Sequence, residues 1–177
     1  MSPEWLTAIG TIGTFVVIAA SAIAALIQLR HMRRSNQIAG LDEVRAAMES
    51  AEFRKALDFI RDDLPRLIDD SALLQKIRTE HKLPPEIAPI RYLANHFEYI
   101  GLFVRSGMVD ANLACQLWAG LAYDSWVSIA PITSAVRGAD NSGIWINFEY
   151  LAALSKQYTE SGAGTDYPAG VPRMPLP

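Results

Sequence analysis

Cysteine is nearly absent from this chain. Cys115 is the only one in 177 residues, which rules out an internal disulfide and any paired-cysteine metal motif and fits a reducing compartment. Histidine is scarce as well: His31, His81 and His96 are too dispersed to form a ligand cluster. Glu98 and Glu149 lack the histidine three residues later that di-iron bundles use. There is no glycine-rich phosphate loop and no Gly-x-Ser-x-Gly elbow. Basic residues are not in excess, with 16 Lys and Arg against 19 Asp and Glu, so no positive field exists to hold nucleic acid. Strand alternation and hairpin turns are missing too. The sequence therefore calls for no cofactor, no metal and no nucleic-acid partner, and it reads as all-α.

What the chain does have is a long uncharged run. Residues 5–29 carry no charge, and Arg30, His31, Arg33 and Arg34 follow at once. About 20 apolar residues cross the hydrocarbon core of a bilayer, so this run is long enough to cross with some tilt. A cleaved secretory signal has a basic start and a shorter apolar core. Here residues 1–4 hold no basic side chain, and although Ala22-Ile23-Ala24 mimics a cleavage site, the arginines beyond it oppose export. A buried helix of a soluble protein rarely stays uncharged for so long. The reading is an uncleaved single-pass anchor.

Basic residues beside a span stay on the cytoplasmic side. Arg30, Arg33 and Arg34 thus place residues 1–4 outside and everything after residue 30 in the cytoplasm. The same three lie at the level of anionic head groups, which adds roughly 1 kcal/mol per basic residue. Membrane lipids are the first expected partner. Trp5 suits the outer interface.

At about 100° per residue, the span has two faces. Trp5, Ile9, Ile12, Phe15, Val16, Ile23, Leu26 and Ile27 gather on one. Thr7, Gly10, Thr11, Gly13, Thr14, Ala20, Ser21 and Ala24 gather on the other, joined by Ala25 and Gln28 and interrupted by Val17 and Ile18. Small and hydroxyl residues let helix backbones approach closely. Either these are ordinary small residues facing lipid, or, as the segregation favours, the face packs on a second partner, another transmembrane protein or a copy of this chain.

Residues 30–40 form a basic stalk, 41–158 a helical domain and 159–177 a Pro/Gly-rich tail. No proline lies between Glu4 and Pro65, so the span continues as helix, with Gly40 the expected place for a bend. Leu41, Val44 and Met48 repeat at helical spacing, then Phe53, Leu57, Ile60 and Leu64 after a phase shift, which calls either for a break near Ser50 as an N-cap or for a curved helix. Pro65 ends or kinks that helix. A short helix with Ser71 as cap and Leu73, Leu74 and Ile77 inside comes next. Pro85, Glu86 and Gly107 bound the following one, whose core face reads Ile87, Ile90, Ala94, Phe97, Gly101 and Val104. Asp110 caps another helix, which bears Leu113, Leu117, Leu121 and Ile129 with Trp118 and Trp126 on its flanks. Pro131 and Gly138 bound a connector, and a final helix carries Trp145, Phe148, Leu151, Ala152 and Leu154. The fold expected is one N-terminal transmembrane helix continuing into a cytoplasmic bundle of four or five helices. The tail is too poor in apolar periodicity to order alone.

Charge is uneven. Residues 30–82 hold 21 charges in 53 positions, but only 13 occur in the 95 beyond. Within that charge-poor half, Asn95-His96-Phe97-Glu98-Tyr99-Ile100 is echoed by Asn147-Phe148-Glu149-Tyr150-Leu151. Each places a glutamate beside a core phenylalanine. An unpartnered buried charge is expensive, so Glu98 and Glu149 form a candidate buried polar pair. Either they face each other with raised pKa values, useful for acid–base work or a cation, or each is satisfied separately by Arg91, Arg105, Arg137, a tyrosine or a helix end. Cys115, between Leu113 and Leu117, reads as a buried inert thiol.

Asn95, Phe97, Glu98 and Gly101, then residues 107–110, Trp126 and Phe148-Glu149, resemble an uncharacterised bacterial membrane-anchored family of the domain of unknown function 4760 type. The likeness extends to the single span and the Arg33-Arg34-Ser35-Asn36 segment, over roughly residues 5–158. It implies the anchor, the helical fold and a bacterial inner membrane, and it supplies no activity. The first expectation is a non-enzymatic accessory or assembly subunit of a larger membrane complex. A self-associating membrane effector or signalling module is the second. The third is a membrane-surface enzyme using Glu98, Glu149 and His96.

Overall fold

The computed structural model describes residues 3–138, 143–165, 167 and 170–175; the side chains of 4–10, 33–39, 41 and 43 lie outside that description. Among the described residues every regular element is helical. Two compact units divide the chain, residues 1–42 and 43–177.

Helix α1 spans Pro3–Met48 and passes Gly40 without interruption. A Cβ at Gly40 would meet nothing within 4 Å, so the glycine answers no packing demand. The segment Thr11–Met32 has the length and apolar composition to cross a membrane, and none of it is buried inside the molecule. Phe15, on the bulky face, is 72% exposed.

The second unit is a helical bundle. Ser50 ends the α1 phase as expected: its hydroxyl accepts from the Phe53 amide at 3.1 Å and caps α2, Ala51–Asp62. The five-residue helix α3, Leu64–Ile68, takes Pro65 into its first turn, where a missing N–H costs nothing. Helix α4 covers Ser71–Glu80. Its cap is Asp70, not Ser71: the Asp70 carboxylate accepts from the Ala72 and Leu73 amides at 2.9 and 3.4 Å. A carboxylate also suits the positive helix end better than a hydroxyl.

A 3₁₀ turn over Pro85–Ile87 leads into α5, Ala88–Arg105. Its six expected core residues are all buried. Gly107 follows at φ 72°, the left-handed conformation that favours glycine at a helix C-terminus. Asp110 caps α6 through the Leu113 amide at 3.0 Å.

Helix α6 differs from expectation twice. It runs Ala111–Arg137 straight through Pro131, so the connector begins at Gly138. Interior proline costs about 3 kcal/mol, but Ile129, Ile132, Thr133, Ala135 and Val136 are buried around it, and that burial outweighs the lost bond. The buried face also contains Ala114, Cys115, Trp118 and Ala122, whereas Leu113 and Leu117 are 37% and 54% exposed. Small residues at 114, 119 and 122 admit the neighbouring helices where leucine would not fit.

Helix α7, Ile146–Glu160, packs against both α5 and α6. The core centres on aromatics. Phe97 and Phe148 stack with centroids 4.8 Å apart and planes 20° apart. Trp126 meets Phe148 edge-on at 5.2 Å, and Phe53 closes the far side at 6.1 Å from Phe97. A 3₁₀ turn at Ala163–Thr165 follows α7.

Candidate functional site

Three groups of residues were singled out by the sequence. On the apolar part of α1, Thr11, Gly13, Thr14, Ser21 and Ala24 are exposed, and so is Ala20. A Cβ at Gly13 would meet nothing within 4 Å. The side chains of Thr7 and Gly10 lie outside the described residues. In the basic segment, Arg30 and His31 are exposed, while the side chains of Arg33 and Arg34 again lie outside the described residues.

The third group, Glu98 and Glu149, takes part in two separate arrangements. Glu98 sits on α5 opposite the start of α7. One carboxylate oxygen accepts the backbone N–H groups of Asn147 at 2.9 Å and Phe148 at 2.8 Å. The other accepts the Asn147 side-chain amide at 2.7 Å. Helix α7 has no cap from its own chain neighbours: Trp145 occupies the N-cap position with φ 56° and makes no side-chain cap bond. Glu98 therefore supplies from across the core what a local Ser or Asp supplies elsewhere. Negative charge there also meets the positive end of the helix.

The neighbours of Glu98 complete the clasp. Asn95 accepts from the Trp145 indole N–H at 2.9 Å, and Arg105 donates to the Asn147 side-chain oxygen at 3.3 Å. Gly101 lies where α5 touches α7, and a Cβ there would run into the Asn147 carbonyl. These interactions hold Trp145 in a backbone conformation that bulky residues rarely adopt. Asn95, Glu98 and Arg105 are spaced three and seven apart, so they line one face of α5. That polar line was readable in the sequence. Its destination, Asn147, was not.

Glu149 has a different partner. Its carboxylate meets the Arg137 guanidinium at 2.6 Å, with the arginine side chain 13% exposed and the glutamate 48%. Arg137 also donates to the Ile144 carbonyl through Nε and Nη2 at 3.0 and 2.9 Å, and it lies 5.7 Å from the Trp126 ring centre. Of the three arginines considered, Arg137 pairs with Glu149 and Arg105 reaches the clasp. The repeated motif brings its phenylalanines together and sends its glutamates to different tasks.

His96 lies edge-on to Phe53 at 4.9 Å, and its Nε2 is closed from solvent without a hydrogen-bond partner. Burial holds its pKa below the ordinary histidine range. It borders an apolar groove of about 390 Å³ with Val44, Tyr99 and Phe103. Burial pushes the Cys115 thiol upward, against a smaller opposing effect of Ser155, which keeps it protonated and unreactive. Cys115 lies in a groove of about 790 Å³ between α6 and α7, beside Gln116, Tyr158 and Thr159. No group of three or more His, Cys, Asp or Glu side chains able to hold a metal occurs among the described residues. Sequence reading also missed His81, whose ring bonds the Val136 carbonyl at 3.2 Å and packs where a Cβ on Gly138 would stand.

No curated protein and no solved structure matches the chain. One family model does, over residues 15–155, which takes in most of α1, the clasp and the first two thirds of α7. The chain belongs to the family described as a domain of unknown function (DUF4760).

Proposed function

We propose that this chain is a non-enzymatic, single-pass protein of the bacterial inner membrane, an accessory or assembly subunit that docks on a larger complex. The observation that carries the reading is the Thr11–Met32 helix, apolar, 22 residues long and unburied by its own chain. Water does not tolerate such a surface, and a bilayer does. Its segregation into a Gly/Ala/Ser/Thr face and an Ile/Phe face gives one side suited to close helix packing. Arg30, Arg33 and Arg34 orient it with the bundle in the cytoplasm.

The test is extraction of the tagged chain from its native membrane in mild detergent, then native mass analysis. Foreign subunits at fixed ratio, lost with Gly13→Leu or Ala20→Leu but retained with Ile23→Ala, support the proposal. Equal effects on both faces overturn it. Recovery of copies of this chain alone transfers support to the second reading, a self-associating effector or signalling module. That reading draws on the same span face and on the outward Leu113, Leu117 and Val127 of α6, each at least 37% exposed. The enzymatic reading has less behind it, because Glu98 is occupied by three donors and Glu149 by Arg137.

A further inference from the structure

We propose that residues 171–175 form a polyproline-type docking motif for an aromatic-lined groove on a partner protein. This deepens the accessory-subunit reading and rests on it. The segment is Val171-Pro172-Arg173-Met174-Pro175, two apolar–proline dipeptides separated by one residue. Proline fixes its own φ near −65° and drives the residue before it toward extended backbone. Two such dipeptides three residues apart match the left-handed polyproline II helix, which has three residues per turn and rises about 3.1 Å per residue. Val171 and Met174 then share one edge and Pro172 and Pro175 the next, with each pair roughly 9 Å apart. Each dipeptide makes a ridge of an apolar side chain beside a pyrrolidine ring. Slots between aromatic rings read ridges of this shape. The prolines also withhold the N–H groups that a helix or sheet partner would need, which leaves groove recognition as the fitting mode.

The structure adds two observations to the spacing. Residues 170–175 are all exposed and are neither helix nor strand over 171–175; Val171 is 52% and Met174 82% exposed. Large apolar side chains held in water at the motif's two key positions are what a docking ridge requires. The segment is also pre-shaped. The Tyr167 hydroxyl donates to the Pro172 carbonyl at 3.3 Å, and the Arg173 guanidinium lies 5.2 Å from the Tyr167 ring centre. This brace occupies the third edge, leaves the two apolar edges open and lowers the entropy lost on binding.

The test uses the full chain in its native membrane, with a benzophenone amino acid placed at Leu176, beside the motif and outside it, and, in a separate strain, at Ala20 in the apolar helix. After irradiation the crosslinked peptides are identified by mass spectrometry. The expected result is a Leu176 adduct on an aromatic-lined groove of a subunit that also copurifies. It falls at least tenfold in the P172A/P175A double variant, while the melting temperature of the bundle is unchanged. No adduct, an adduct that survives P172A/P175A, or one confined to this chain's own bundle or to lipid overturns the motif. Failure at Leu176 with a protein adduct retained at Ala20 removes the motif and leaves the accessory-subunit reading standing. Loss of adducts at both positions removes both.

Discussion

Glu98 and Asn147 are joined twice: one carboxylate oxygen takes the Asn147 backbone N–H at 2.9 Å and the other takes its side-chain amide at 2.7 Å. With the Phe148 amide added at 2.8 Å, a single side chain on α5 fixes both where α7 begins and which way it points. Helix α7 in turn presents Phe148 to Phe97 and Trp126. The aromatic core thus depends on a polar contact at its edge.

Removing that contact is costly. Glu98→Ala leaves two α7 amides without their acceptor and is expected to lower stability by about 2–4 kcal/mol. Glu98→Gln keeps the shape but loses the charge and one acceptor, and is expected to cost about half as much. Urea unfolding of the detergent-solubilised chain measures both. Equal, negligible losses would show that α7 is positioned by packing alone.

Gly101→Ala tests the closeness of the same junction. The added methyl overlaps the Asn147 backbone carbonyl, which no side-chain rotation relieves. The expected cost is about 2–3 kcal/mol, read from the urea midpoint. Gly120→Ala is the control: its Cβ would meet nothing within 4 Å, and alanine raises helix propensity.

Arg137 is expected to resist conservative replacement. Its planar group donates to Ile144 twice and to Glu149 once. Lysine has no fork to reproduce this. Arg137→Lys should therefore destabilise by about 1–2 kcal/mol, whereas Glu149→Gln, at a half-exposed carboxylate, should cost less. Rescue of full stability by lysine would reduce the site to a point charge.

His96 makes a prediction about pH. Its folded pKa is depressed by burial, so the unfolded chain binds the proton more readily. Stability is therefore full above the unfolded value of about 6.5 and falls as pH drops below it toward the folded value. Melting temperature measured from pH 8 to pH 5 should fall across that window, and His96→Leu should flatten the part that His96 causes. An unchanged slope in the variant assigns the loss to carboxylates instead.

Arg30, Arg33 and Arg34 are expected to set orientation. Replacing all three with Gln should yield a mixed population, scored by protease access to a C-terminal tag in sealed vesicles. Uniform protection identical to the parent chain would mean that other features decide topology.

The helical class, the long apolar helix, the Asp110 cap, the Ser50 break and the Gly107 terminator were all legible in the sequence, because each depends on residues within one or two turns. Asp70 instead of Ser71 as the α4 cap is a one-residue error between two residues that can both cap. The route of α6 through Pro131 was not legible, since the burial that offsets a broken backbone bond comes from other helices. The outward turn of Leu113 and Leu117 has the same origin: the helix offers two usable faces, and the small residues at 114 and 122 matter only once neighbouring helices are packed against them.

The two glutamates draw the same line. By itself the sequence determined that Glu98 and Glu149 stand beside core phenylalanines in a charge-poor region and need partners, because desolvating a carboxylate is expensive wherever it occurs. Only the tertiary structure decided which partners. Asn147 lies 49 positions from Glu98, and Arg137 lies 12 from Glu149. Nothing in local spacing distinguishes a helix end from a guanidinium until three helices have packed and left each carboxylate one donor set within reach.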